Sequence, residues 1–409
     1  MRQRYLKTSD IYEKSGEEDQ IIYDDAKEKW LSLLIVTTPI MNIQRTALII
    51  GAMTLCVVMN AQEKDTLTIA VCGDIMMGTT YPKERLPEND GREIFKDVAQ
   101  ALMSADLTLG NHEGTLCDGG ICNKKGGKYS YAFRTPTSYA ERLSEVGFDY
   151  MSLANNHSND FGEFGMTSTE LALESWGIAY SGVSGRKEWA VVERDGIRYG
   201  ICAFGHNSYT LKHTNLKKVK EILDILKEKS DIIVVSFHGG AEGADMAHLP
   251  YGTETYLGEN RGDLRTFAHF CIDNGASVVY GHGPHVTRCI EVYNGKFIAY
   301  SLGNFATPYG ISLDGIKGYA PVVTVRIDRE GRFIDGKIHP FIQQYGQGPR
   351  ADHRGKVTEN IKNLSEADVP DSQAVIDLDG NIRINPEIRK SRITLPKVEF
   401  ELPKVVLSI

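Results

Sequence analysis

From residue 67 onward, short β-branched runs alternate with segments whose apolar residues recur every three or four positions, the pattern of an α/β domain. Residues 67–72 read as a buried strand that ends at Gly73-Asp74. The pattern then predicts a helix at 92–104, a strand at 107–109, a helix at 138–145, a strand at 150–153 and a helix at 165–176. A hairpin follows at 190–204, turning at Asp195-Gly196. In the second half, Leu216, Val219, Leu223 and Leu226 mark one helix face, and residues 232–237 are a continuous apolar strand. Leu264, Phe267, Ala268, Cys271 and Ile272 mark another helix face. After a strand at 278–280 the chain turns to hairpins, at Asn294-Gly295 and Glu330-Gly331. The expected fold is α/β, with a parallel-rich core sheet continued by antiparallel strands. Beyond residue 344 the periodicity weakens into a polar, Gly- and Pro-punctuated stretch, so residues 345–409 read as a peripheral appendage with a short hairpin at Asp379-Gly380-Asn381.

The first 66 residues follow a different logic. Met41-Asn42-Ile43-Gln44-Arg45 leads into an apolar run at 46–59 and then Asn60-Ala61-Gln62. A short basic region, an apolar stretch below membrane-spanning length and a small residue before polar sequence make 41–61 a signal peptide. Export to the periplasm or cell envelope is the expected consequence. The alternative is a membrane anchor over 31–59, which would tie the chain to a membrane if left uncleaved. Residues 1–40 form no recognisable domain and read as an upstream extension, with Met41 the expected start.

Composition changes the picture in two respects. The chain has 409 residues, 41% hydrophobic and 24% charged, enough for a large core. Its net charge of -8, without a dense Lys/Arg run, offers no field to collect nucleic-acid phosphates. Cys117 and Cys122 flank a Gly-rich loop and are either a bridge, as an exported protein allows, or free thiols. Cys72, Cys202, Cys271 and Cys289 lie in apolar runs and read as small core residues.

The chemistry sits in polar clusters placed immediately after predicted strands: Gly73-Asp74, Asn111-His112-Glu113, Asn155-Asn156-His157 with Asp160, His238, and the segment from Gly281 to His285. In an open α/β sheet the carboxyl ends of strands gather where ligands bind, so these clusters should converge. Asp, Glu, Asn and His supply the oxygen and nitrogen donors that suit Zn, Mn or Fe. One or two such divalent ions would polarise a phosphoryl oxygen and acidify a water. A single His at a strand end is more often structural; five clusters in series are a different matter. Met76 and Met77 read as packing residues, and His206, His213, His248, His269, His339 and His353 as ordinary histidines.

These residues also carry a family resemblance. The blocks GDIMMG (73–78), LGNHEG (109–114), SLANNHSNDFG (152–162), SFHGGAEG (236–243), YGHGPHV (280–286) and YSLGNF (300–305) resemble the CapA-like poly-γ-glutamate capsule-synthesis family over residues 67–344. That family is in turn similar to calcineurin-like metallophosphoesterases, which implies a four-layer αββα sandwich and a two-metal site. By motif, Asp74, Glu113, Asn156, His238, His282 and His285 would be metal ligands. His157 would protonate a leaving oxygen or stabilise negative charge, and Asp160 would orient it. The resemblance implies a metal-dependent hydrolase of a phosphoester or related anionic envelope substrate. A noncatalytic factor that binds or exports an acidic polymer such as poly-γ-glutamate is the alternative, and a purely structural metal site a third. Two departures from the superfamily pattern bear on metal number: Asp74-Ile75-Met76 lacks the imidazole of Asp-x-His, and two residues, not one, separate His282 from His285.

If 41–61 is a cleaved signal, residues 1–61 are missing from the mature protein. N-terminal sequencing of native material should therefore find no Met1; a chain beginning there would overturn the reading.

Overall fold

The computed structural model describes residues 65–126 and 131–385. The expected signal peptide at 41–61, the expected extension 1–40 and the tail from 386 lie outside the described residues.

Among the described residues, fifteen strands build two mixed sheets. In the first, β1 (Leu67–Ile75), β2 (Leu107–His112), β3 (Tyr150–Ser152) and β4 (Ala179–Ser181) run parallel. The second centres on the parallel strands β6 (Ile197–Phe204), β7 (Ile232–His238) and β8 (Val278–His282), with β5 (Trp189–Arg194) antiparallel to β6. Its other edge is β9 (Ile290–Tyr293) paired to β10 (Lys296–Ala299), which runs parallel to β8. The chain then returns to the first sheet. There β11 (Asn304–Ala306) pairs with the end of β1, and β12 (Val322–Ile327) and β13 (Phe333–His339) extend the sheet antiparallel from its start. Finally β14 (Ala374–Ile376) and β15 (Asn381–Ile384) add two antiparallel strands beyond β13.

Strand alternation explains the layering. Along β1, Leu67, Ile69 and Val71 face the second sheet, where they meet Tyr199, Ile201, Val234 and Tyr280 in one buried core. Ala70 and Cys72 face the other way, into a core shared with Leu102 of α1 (Ala99–Met103), Leu143 of α2 (Ala140–Glu145) and Leu173 of α3 (Gly162–Ser175). On the far side of the second sheet, Val235 and Val279 pack on α4 (Leu216–Lys229) and α5 (Leu264–Asp273). The result is helices, sheet, sheet, helices, the expected αββα order. The N-terminal caps of α4 and α5 are Asn215 and Asp263, whose side chains accept from Lys218 N and Thr266 N.

Several elements differ from the sequence pattern. The helix expected at 92–104 narrows to α1, because 92–98 runs as irregular turns. A 13-residue helix, α6 (Lys356–Asp368), occupies the stretch where periodicity fades. Its Val357 and Ile361 enter the core between the sheets while Leu364 reaches the outer one. An additional hairpin, Glu254–Tyr256 paired with Glu259–Gly262, follows β7. Among the described residues no helix is long and apolar enough to cross a membrane.

The segment after β7 is anchored by a buried ion pair. Arg288 grips Glu254 through two hydrogen bonds of 2.8 and 2.7 Å and donates from Nε to Met246 O at 2.9 Å. Arg288→Ala would strand the Glu254 carboxylate, and loss of one partner of a buried pair costs about 3–5 kcal/mol. Denaturant unfolding should show a loss of that order; a change under about 0.5 kcal/mol, the range of an ordinary surface substitution, would mean the pair holds nothing in place.

Candidate metal centre

The two sheets end at one edge, and the predicted clusters meet there. Asp74 lies at the end of β1, beside Asn304 of β11 and Asn111 of β2 in register. Glu113 follows β2. From the second sheet come His238 and His282, paired in register at the ends of β7 and β8. Asp74, Glu113, His238 and His282 are fully buried. One donor atom each from Asp74, Glu113 and His238 lies within 4.8 Å of the others.

Close backbone approach makes this convergence feasible. A Cβ on Gly73 would stand 2.0 Å from Gly303 O, and Asp74 N donates to that same carbonyl at 2.8 Å. His285 adopts φ 58°, an uncommon conformation for a non-glycine residue, which turns its ring back to the cluster. Its Nδ1 lies 3.1 Å from Asp74 Oδ2 and 3.0 Å from Asn304 Oδ1, and its Nε2 lies 3.6 Å from Glu113 Oε1. His238 Nε2 is 3.5 Å from the same Glu113 oxygen, and His282 Nδ1 is 3.4 Å from Asp74 Oδ1. Five of the six expected ligands are thus linked by direct approaches. Asn156 follows β3, and its Oδ1 is buried without a hydrogen-bond partner.

A chain of amides sets the spacing across the first sheet. Asn111 Nδ2 donates to Asp74 Oδ1 at 2.8 Å, and Asn155 Nδ2 donates to Asn111 Oδ1 at 3.0 Å. Asn155 Oδ1 in turn accepts from His157 N at 3.0 Å. His157 Nε2 points toward the cluster, 4.0 Å from Glu113 Oε1, while its Nδ1 is 2.9 Å from Asp160 Oδ2. Asp160 thus bonds the His157 ring and also accepts from Phe133 N at 2.7 Å.

The electrostatics of the protein groups at the site are unbalanced. Burial and then the Asp74 carboxylate push Glu113 up to about 8. Asp74 is held well below the carboxylate range: burial opposes this, but the close approach of His282, the hydrogen bond from His285 and the charges of both prevail. Burial works against protonation of His285 as well, yet Glu113 and the bond to Asp74 raise it to about 10. Burial takes His238 down to about 3 despite Asp74. Both oxygens of Glu113 and both ring nitrogens of His238 and His282 lack hydrogen-bond partners. Buried polar atoms left unpaired cost free energy, and a cation among them would satisfy several at once. The donor set, carboxylate, amide oxygen and imidazole, fits Zn, Mn or Fe.

Other residues near the site were not singled out by sequence. His206, read as ordinary, stacks on His238 with ring centroids 5.7 Å apart. Arg261 pairs with Glu242 at 2.9 Å and with Glu259 at 3.1 Å in the loop after β7. Lys124 contacts both His157 and Asp160. His206 lies just past the end of β6, so the strand-end rule that found the other clusters could have found it. Lys124 sits in an irregular loop with no such signal. Asn304 braces His285 and donates to His285 O and Lys317 O. Cys117 and Cys122 are free thiols.

Fold and site together define a four-layer α/β protein with a buried Asp/Glu/His group that could hold a divalent metal. The chain belongs to the bacterial capsule synthesis protein family PGA_cap, whose model matches residues 68–309. It is 30% identical over 262 residues to the PGA biosynthesis protein CapA of Bacillus subtilis (strain 168), covering 60% of this chain and 64% of that protein. It is 27% identical to the capsule biosynthesis protein CapA of Bacillus anthracis, covering 61% and 62%. The matched region thus spans under two thirds of either relative's length. Among solved structures it is similar to a hypothetical protein from Thermus thermophilus (16% identity, 68% of this chain and 99% of that one, TM-score 0.43). It is also similar to the purple acid phosphatase PPD1 from yellow lupin seeds (12% identity, 70% and 53%, TM-score 0.38). At these TM-scores the likeness carries no residue role to this chain.

Because Glu113 is pushed up to about 8 and His285 up to about 10, a divalent cation that takes both as ligands would displace a proton at neutral pH. Affinity for Zn or Mn should rise as pH climbs through about 8 toward 10. Titration calorimetry at pH 7 in buffers of different ionisation enthalpy should read net proton release on binding; zero release or uptake would contradict the assignment of these two residues as ligands.

Proposed function

We propose that this protein is an exported, metal-dependent hydrolase acting on a phosphoester or a related anionic substrate of the cell envelope. The observation that carries the reading is the group of buried donors without partners, Glu113, His238, His282 and Asn156 Oδ1, gathered beside an oriented imidazole. Asp74, Glu113, Asn156, His238, His282 and His285 would hold one or two divalent ions. Such an ion supplies Lewis-acid polarisation of a phosphoryl oxygen. His157, aligned by Asp160 through Nδ1, presents Nε2 to the substrate and delivers a proton to the leaving oxygen.

A second reading has its own support in the family match and in the printed names of the relatives. In it, the cleft binds an acidic polymer such as poly-γ-glutamate without cleaving it and serves its export or retention. Polymer carboxylates could coordinate the same ions that would take phosphate. In both readings the chain works in the periplasm or cell envelope on an anionic partner, and nucleic acid has no part.

Metal stoichiometry measured together with hydrolysis of a broad phosphomonoester and phosphodiester panel separates the two. A general acid contributes about 100-fold to 10,000-fold, so His157→Ala should lose most turnover and keep its metal. His238→Ala and His282→Ala should lose both. Wild type that binds metal and hydrolyses nothing on the panel would hand the assignment to the polymer-binding reading.

A further inference from the structure

The short strands Thr115–Leu116 and Arg134–Thr135 pair with each other, and Asn123, Lys124 and Phe133 between them all contact Asp160. Asn123 N donates to Asp160 O at 2.7 Å, Phe133 N donates to Oδ2 at 2.7 Å, and Lys124 Nζ lies 2.8 Å from Oδ1. The same ammonium lies 3.0 Å from His157 Nδ1. With Nδ1 donating to Asp160 Oδ2, His157 is held by a carboxylate whose other oxygen takes the Lys124 ammonium, while the Phe133 ring packs against the imidazole with centroids 4.5 Å apart.

The Asp160 carboxylate is fully buried, and Lys124 is the one Lys or Arg in contact with it among the described residues. A buried carboxylate without a counter-charge is costly and tends to swing toward water or protonate. If Asp160 moved, His157 would lose its alignment while every metal ligand stayed in place. Lys124 itself is 26% exposed, so its removal opens no core.

We infer that Lys124 is a positioning residue: its ammonium fixes the Asp160 carboxylate and thereby the direction in which His157 Nε2 enters the cleft. The kinetic part of this inference rests on the proposed role of His157; the geometric part does not. Outer partners of functional groups typically contribute about 10-fold to 100-fold to activity.

The test uses the full chain as wild type, Lys124→Met, Lys124→Gln and Lys124→Arg. Nitrogen-15 histidine labelling reads the His157 ring signals in chelator-treated protein, assigned by their loss in His157→Gln. Bis(p-nitrophenyl) phosphate turnover and metal content are measured alongside. In the Met and Gln variants the ring signals should shift or broaden and kcat should fall about 10-fold to 100-fold, with KM changed far less and metal content intact. Arginine, which keeps the charge and can fork onto the carboxylate, should restore most of both. Unchanged His157 signals in both neutral variants, or Arg no better than Gln, would overturn the inference. If wild type hydrolyses none of the probe, the hydrolase proposal falls and the ring signals alone decide the role of Lys124.

Discussion

The structure turns on an opposition of charge across the space between two sheets. Asp74 and Glu113 end strands of the first sheet; His238 and His282 end strands of the second, and His285 follows a turn later. Neither set is stable alone in a buried setting, since carboxylates without partners would protonate and imidazoles would remain neutral and unbonded. Brought face to face, each set supplies part of what the other needs, as the low pKa of Asp74 and the high one of His285 record. The compensation is incomplete, because Glu113 keeps two oxygens without partners. That residual deficit, set between fixed walls, separates a site able to take up a cation from an ordinary buried ion pair.

The walls are fixed by packing and by amides. The core between the sheets, with Val71, Tyr150, Val234 and Tyr280 at no measurable exposure, holds the two strand edges at one separation. The relay from Asp74 through Asn111 and Asn155 to the His157 backbone then ties three neighbouring strand ends together laterally. Asparagine suits this role because one side chain both donates and accepts, so the relay carries no net charge and leaves the carboxylate's charge for the site.

Much of this was legible in the sequence because strand ends are marked twice, by a β-branched run and by the Gly, Asn and His that terminate it. Hence β1, β7 and β8 and their attached Asp74, His238 and His282 follow from pattern alone. What escaped the pattern has physical reasons. Helix α6 carries only Val357, Ile361 and Leu364 as large apolar anchors among polar residues, and it is held by tertiary contacts across two cores. Residues 92–98 have helical apolar spacing at Phe95 and Val98, yet they run as turns that still bury both side chains. Lys124 belongs to a loop whose course is decided by Asp160, 36 residues away in sequence, and local pattern holds no trace of such a contact. Hairpin 254–262 is held by the Arg288–Glu254 pair, another long-range choice.

Exposure gives the site a direction. Asp74, Glu113, His238 and His282 are sealed, whereas the side chain of His285 is 15% exposed and that of His157 8%, with Lys124 beyond them. Asn156 is likewise only partly buried. What exposure the group has is thus confined to His285, Asn156, His157 and Lys124, an imidazole and an ammonium among them. A closed structural metal site would have no use for such an asymmetry, since its four ligands need only complete one another. Under the proposed function, an anionic ligand would be drawn by Lys124 and His285 and would find His157 beside the sealed donors, its Nδ1 on Asp160.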